Sequence, residues 1–393
     1  MLAIGLNLSS SVINIVELAN KGRNIIVRKV VKAEVPADCI IKGEIQKPDI
    51  LAANLKEIWR RYRISGRKVY VGIANQKVIA KEVKIPVIND AEIKSSIQYQ
   101  ISDFIPIPKN NIIYDYYVVE KGKDHSRVML VGAMKSMIDD VVYSFKNAGL
   151  LTQAIDLNCF ALFRTVSFIH SNRKNEKVEK TREKGKADTY CVVNLGDEMS
   201  IIEMVQNNDL KYPRFSSTSY QSFIDEIYKG TKKDNKYCED ILSGFDFKDL
   251  MVKKSAVTTE KLETEDTKLK AGPKTKTTKK AREVDENLSE SRSVEDIIKK
   301  VTDQFIDEIG LSIEHFMQEN PKSSIGKIVL TGKFIKNIDK YIGQQLQHRV
   351  ELLNITDYFS LKYLKKISGY SEADLKYILD PIAVGMALRG LNQ

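Results

Sequence analysis

The first eighteen residues alternate apolar and polar positions in a way that predicts strand, tight polar turn, strand. Ile4-Gly5-Leu6-Asn7-Leu8 is followed by Ser9-Ser10-Ser11 and then by Val12–Leu18. The same pattern returns far downstream, where Cys191–Leu195, the turn Gly196-Asp197-Glu198 and Met199–Met204 repeat it. In both copies an Asn closes the first strand, a Leu follows, and small or polar residues make the turn. Two such units, widely separated in one chain, predict a two-lobed, duplicated architecture. Each turn is suited to presenting backbone N–H donors to a phosphate. Two ordinary hairpins are the competing reading.

Between the copies the pattern changes period. A strand is predicted over 24–34 and a helix from Pro48-Asp49, with Leu51, Leu55, Ile58, Trp59 and Tyr62 on one face. Lys68–Ile73 alternates as a strand. Residues 77–150 read as a compact unit that opens with a strand at Val78–Ile85 and continues as an αββα-like run. Its first helix is capped by Asn89, with Glu92 completing a capping box, and carries Ile93, Ile97, Ile101 and Phe104 inward. Ile105-Pro106-Ile107-Pro108 stops it. Strands at Ile112–Val119 and Arg127–Ala133 follow. A helix from about Ser136 to Asn147 turns Ile138, Val141, Val142 and Phe145 inward, with Gly149 as its C-cap. Residues 152–170 read as one strongly apolar helix, and Ser171–Asp188 as a charged, mobile linker.

After the second hairpin, Pro213 interrupts the extended pattern and a helix follows Ser219. Residues 251–293 are rich in Lys, Thr and Glu and are expected to be flexible, because they cannot bury enough apolar surface to offset their ordering. A long helix is predicted from roughly Ser293 to Glu319 on the stripe Ile298, Val301, Phe305, Ile309, Ile313 and Phe316. Then come a strand at Lys327–Leu330, a turn at Thr331-Gly332-Lys333, and a helix carrying Ile335, Ile338, Ile342 and Leu346. Val350 and Leu352 read as a short strand. The closing helix after Pro381 has Gly385 and Ala387, which permit close backbone approach.

Size and charge narrow the function. With 393 residues, 42% of them hydrophobic, the chain is long enough for two or three domains with sizeable cores. It lacks both an apolar run of membrane-span length and a basic-then-apolar leader, so a cytosolic protein is expected. Cys39, Cys159, Cys191 and Cys238 are far apart, as are His125, His170, His315 and His348; no metal spacing or disulfide framework is present. The formal charge of +10 is spread along the chain without a basic stripe interleaved with stacking aromatics, which argues against nucleic acid. The Ser9-Ser10-Ser11 hydroxyls have no adjacent base, so no catalytic residue is assigned.

The ordered set of opening hairpin, second hairpin, Ile328-Val329-Leu330-Thr331-Gly332 and closing Pro381–Gly390 helix resembles the actin-like ATPase superfamily. Within it the chain resembles the PilM family of type IV pilus assembly proteins. Tyr99-Gln100-Ile101-Ser102-Asp103-Phe104-Ile105-Pro106-Ile107-Pro108, Ile113–Val119 and Ala383–Gly390 carry that closer likeness. The resemblance implies an α/β fold of two lobes built from duplicated mixed-sheet subdomains. Its parts would be a first subdomain (1–76), the inserted unit (77–150), an interdomain helix and linker (151–188) and the second lobe's first part (189–228). A further subdomain (229–319) would hold the 251–293 insertion, followed by the second lobe's second part (320–380) and a C-terminal helix (381–393).

The family implication is ATP in the cleft between lobes. Asn7, Ser9, Ser10, Ser11, Asn194, Gly196, Asp197, Gly332 and Lys333 stand at the nucleotide positions. A second implication is a partner: the N-terminal cytoplasmic tail of a PilN-like inner-membrane protein, in a groove between the first subdomain and the inserted unit. Tyr99, Phe104, Ile105, Tyr114 and Tyr116 stand at that groove. Other platform or motor components and self-association complete the implied partners. This sequence departs from the nucleotide-binding pattern, however. Asn7 and Asn194 replace two acids, and a neutral amide holds magnesium far more weakly than a carboxylate. Ser9 and Lys333 replace glycines. The expectation is therefore a cytoplasmic scaffold held at the inner membrane through its partner, with ATPase activity doubtful and no metal ligands assigned. An active Mg-ATP-dependent ATPase or filament-forming protein is the alternative.

Overall fold

A computed structural model describes residues 1–22, 24–86, 89–173, 189–251, 279–361, 364 and 379–391, with the backbone alone described at 90 and 279–293. Most of the expected Ser171–Asp188 linker and residues 252–278 of the Lys/Thr-rich insertion lie outside these. The chain forms two compact units. Unit 1 comprises Met1–Lys186, Asn208–Phe215 and Asn354–Gln393; unit 2 comprises Ala187–Asn207 and Ser216–Leu353.

Unit 1 is organised on the strands β1 (Leu2–Leu8), β2 (Val12–Lys21) and β3 (Asn24–Glu34). A small hairpin, β4 (Ile40–Ile41) and β5 (Glu44–Ile45), follows, then α1 (Pro48–Arg61) and β6 (Lys68–Ile73). The inserted segment supplies β7 (Ile79–Ile85), α2 (Asp90–Phe104), β8 (Ile112–Lys121), β9 (Ser126–Met134) and α3 (Lys135–Asn147). The expected helix-strand-strand-helix run is α2-β8-β9-α3, and β7 adds a third strand in the order β7-β9-β8. Ile85, Ile93, Ile97, Ile101, Ile105, Val128 and Leu130 form its core. At the start of α2 the recorded cap is the Ala91 N–H donating to Asn89 Oδ1 at 3.0 Å. In α3 the buried face is Met137, Val141, Ser144 and Phe145, which lies against α1; Val142, expected inward, is exposed.

One predicted helix is a strand and a helix. Residues 152–170 divide into β10 (Leu151–Leu157), parallel to β6, and α4 (Asn158–Arg173). A short continuous apolar run has the same appearance in a buried parallel strand as in a buried helix, so period alone misleads. The main sheet of unit 1 is thus β10-β6-β1-β2-β3. Asp156 at the end of β10 is 8% exposed and accepts from Arg164 at 2.9 Å and from Arg389 at 2.6 Å. Arg164 also donates to the Gly385 carbonyl at 3.0 Å, which ties β10 and α4 to the last helix.

In unit 2, β11 (Thr189–Leu195) and β12 (Ser200–Gln206) form the second hairpin. β13 (Asp209–Ser216), whose residues 209–215 are counted in unit 1, follows through Asn207 and Asn208, both at positive φ as a two-residue primed turn requires. It runs on through Pro213, where the sequence pattern predicted a break. The helices α5 (Tyr220–Thr231), α6 (Asn235–Gly244) and α7 (Lys279–Glu319) come next. They are followed by β14 (Ile328–Gly332), α8 (Ile338–Leu346) and β15 (Val350–Leu352). Among the strands of unit 2 the order is β12-β11-β14-β15. α6 had no clear signal in the sequence. α7 begins at Lys279, well before the apolar stripe that predicted it at 293. Lys, Arg, Glu and Ala are good helix formers, so a polar turn can extend a packed helix without a buried face. From Val294 onward the expected stripe is buried, and the helix packs on α5 and β12.

The duplication is visible in register. Asn7 of β1 pairs with Asn14 across the hairpin and with Gly72 of parallel β6. Asn194 of β11 pairs with Ile201 across its hairpin and with Thr331 of parallel β14. The last helix, α9 (Pro381–Leu391), belongs to unit 1 and packs on β1, β6, β2 and α4. A Cβ at Gly385 would sit 1.9 Å from the Ala161 carbonyl oxygen, so the close approach expected there is real.

Candidate functional site

In unit 1 the β1–β2 turn is held by Ser9. Its N–H donates to the Val12 carbonyl at 2.9 Å, its hydroxyl donates to the same oxygen at 2.9 Å, and the Val12 N–H donates to Ser9 Oγ at 3.1 Å. Ser10 is partly exposed and Ser11 is exposed; the Ser11 carbonyl accepts from the Val35 N–H at 2.9 Å. Asn7 is committed elsewhere. Its Nδ2 donates to both carboxylate oxygens of Asp380, at 3.3 and 3.2 Å, while its Oδ1 accepts from Asn158 Nδ2 at 3.0 Å. Asn14 Nδ2 reaches Asp380 at 3.5 Å. Asp380 also caps α9 by accepting from the Ala383 N–H at 2.7 Å. Unit 1 therefore does hold an acid beside Asn7, but it comes from the other end of the chain. The Asp-Pro pair signals a helix start in the sequence; nothing in the sequence says that this cap reaches β1.

In unit 2 the structure brings together Asn194, Gly196, Asp197, Gly332 and Lys333. A Cβ on Gly196 would lie 2.1 Å from the Met199 carbonyl oxygen, and one on Gly332, at φ +93°, would lie 2.3 Å from that of Leu195. Both glycines are explained by backbone closure. Lys333 donates its N–H to the Leu195 carbonyl at 2.7 Å. Its ammonium lies 2.9 Å from the Asp197 carboxylate and 5.2 Å from the centre of the Tyr220 ring. The start of α5 is bonded to the same turn, with Tyr220 N–H to Gly196 O and Gln221 N–H to Asp197 O, each at 2.9 Å. Burial alone would push the Lys333 ammonium down, but the Asp197 carboxylate outweighs it and holds the group above the ordinary lysine range. Burial pushes the Tyr220 phenol up. Tyr220 is the member of this set that sequence reading missed.

The five partner-binding candidates separate. Tyr99 stands out from α2, 87% exposed. Phe104 is partly buried, with the Lys81 ammonium 5.9 Å from its ring centre. Tyr114 and Tyr116, on β8, are partly buried against the inserted core. Ile105 is fully buried in that core and offers no surface to a partner. It is the residue that turns the chain out of α2, and its side chain follows the inward face of the helix. The other face of the small sheet is engaged: Arg127 grips Glu82 with two bonds, at 2.6 and 2.9 Å, and Glu120 at 2.8 Å. Tyr117 there meets Phe160 edge-on at 6.4 Å. Between the first sheet and the inserted segment lies a small apolar recess of about 10 Å³, lined by Leu8, Ile40, Ile45, Ile73 and Val141 with Gly43, Gly72 and Ala74.

Each unit thus carries an antiparallel hairpin with a parallel strand beside its first member, and the first unit carries an inserted subdomain. This is the actin-like ATPase fold. The chain superposes on the solved PilM-PilN type IV pilus biogenesis complex with a TM-score of 0.75, at 17% identity, over 99% of this chain and 98% of that one. It is also similar to the ethanolamine utilization protein EutJ from Carboxydothermus hydrogenoformans, with a TM-score of 0.50 and 10% identity over 99% and 89% of the two chains. No curated protein matches the chain by sequence. The family model described as type IV pilus assembly protein PilM matches residues 5–237, and the chain belongs to that family.

The fold implies a nucleotide and its magnesium, and the residues present do not fit them. Asn7 is spent on Asp380 and Asn158. Gly196 and Gly332 are each required by a neighbouring carbonyl that a Cβ would strike, so neither glycine is a sign of a ligand cradle. Lys333, the one cation of the set, already has its anion. Among the described residues no helix is long and apolar enough to cross a membrane.

Proposed function

We propose that this protein is a cytoplasmic scaffold of the type IV pilus machine. In this reading it sits at the inner membrane by binding the N-terminal tail of a PilN-like membrane protein, in a groove between the first sheet and the inserted subdomain. The observation that carries the reading is the aromatic surface of the inserted subdomain, where Tyr99 is 87% exposed and Phe104, Tyr114 and Tyr116 are only partly buried. A small apolar recess at the junction is lined by Leu8 of β1, Ile73 at the end of β6 and Val141 of α3. Likeness over the full chain to a structure described as a PilM-PilN complex supports it. An extended peptide on such a surface is held by backbone bonds, while aromatic neighbours take its side chains and fix its direction. Tyr99, Phe104, Tyr114 and Tyr116 are the proposed flanking contacts. Nucleotide turnover is no part of this reading, since Asn7 and Asn194 stand where a magnesium site needs acids.

The test is fluorescence anisotropy with synthetic N-terminal tails of single-span membrane proteins from the same pilus machinery. One tail should bind at micromolar concentration or better. Tyr99→Ala should weaken binding by about tenfold, the equivalent of roughly 1.4 kcal/mol, and Tyr99→Ala combined with Tyr116→Ala should weaken it further. Binding unchanged in the folded double variant would refute the groove.

A further inference from the structure

The turn between β11 and β12 stands where the fold implies a phosphate, and its surroundings are already complete. Lys333 reaches Asp197 at 2.9 Å and lies over Tyr220, while the Lys333, Tyr220 and Gln221 N–H groups all donate to the carbonyls of Leu195, Gly196 and Asp197. Three separate pieces of chain, the turn, the end of β14 and the start of α5, are fastened at one point. Asp197 is joined in the field of Lys333 by a second acid, Glu239 of α6. One lysine faces two carboxylates, so an arriving phosphate meets a set that is already net negative.

From this we infer that the turn carries its own counterion: Asp197 takes the place of the anion, and the Asp197–Lys333–Tyr220 set orders the turn without any ligand. A nucleoside polyphosphate enters only by displacing the Asp197 carboxylate from Lys333. Unit 1 also has an acid of its own at this place, since Asn7 near the end of β1 donates to the carboxylate of Asp380 at 3.2 Å. The inference is independent of the peptide groove, which involves other residues in the other unit.

Hydrogen exchange of the full chain, read on the peptide covering 195–200 with and without ATP, tests it. Wild type should show a protected turn that ATP leaves unchanged. Lys333→Met and Asp197→Asn should each speed exchange there by about tenfold or more, because opening becomes local once the ion pair is gone. In a parallel titration with ATP, Asp197→Asn should bind more tightly than wild type by about tenfold, roughly one charged hydrogen bond regained. Two results overturn the inference: a wild-type turn that gains protection only when ATP is added, or an Asp197→Asn variant that binds ATP no more tightly than wild type. Either would mean that Asp197 is not the internal counterion of the turn.

Discussion

At the scale of single residues, neutral side chains at key positions make sense only beside their partners. Asn7 is an amide because Asp380 lies 3.2 Å away. Asn7→Asp would place two carboxylates in contact, and one of them must then keep a proton. We expect a loss of about 1–3 kcal/mol at pH 7 in urea denaturation, shrinking at pH 5 as the shared proton binds. Glu203 is the opposite case. It is fully buried on β12, and neither carboxyl oxygen has a hydrogen-bond partner among the described residues. Burial holds its pKa well above the ordinary carboxylate range. A raised folded value means the acid favours folding most below the unfolded pKa, and that contribution fades as pH climbs through the folded value. Glu203→Gln should therefore gain on wild type as pH rises, by about 1–3 kcal/mol where the wild-type carboxyl must ionise. Parallel stability curves at pH 5 and pH 8.5 would show it; curves that stay parallel would refute it.

At the scale of elements, packing depends on a few backbone approaches and on which way each helix faces. Gly385 lets α9 lie directly on α4, with the Ala161 carbonyl where a Cβ would be. Gly385→Ala must drive the two helices apart and should cost about 3 kcal/mol or more, seen as a lowered melting temperature. Tyr99 on α2 and Ile105 at its C-terminal cap lie six residues apart in the sequence and have opposite fates. Tyr99→Ala should leave stability within about 0.5 kcal/mol of wild type, whereas Ile105→Ala should cost about 2–5 kcal/mol by opening the inserted core. Thermal melts of the two variants, set beside their tail affinities, separate surface from core. The helical period made α1, α2 and α3 readable almost to the residue. It failed at 152–170, where β10 and α4 share one apolar run, and at 279–293, where a polar sequence is helical without a stripe to announce it.

At the scale of the whole molecule, the proposed function divides along the two units. The recess and the exposed Tyr99 belong to unit 1, and the Lys/Thr-rich insertion interrupts unit 2. Removing residues 252–278 should therefore leave tail affinity within about twofold, since sites without shared partners act independently; a larger loss would tie the insertion to the partner. The sequence by itself determined the duplication, because a strand-turn-strand written twice, each ending its first strand in Asn, needs only alternating side chains and small turn residues. It also determined the family and the absence of acids at positions 7 and 194. Only the tertiary structure decided what stands beside those amides. Asp380 meets Asn7, and Lys333 meets Asp197 and Tyr220, because strands and helix starts distant in the chain converge on the same two turns. Local pattern records the period of an element; it carries no record of which charge another element will place against it.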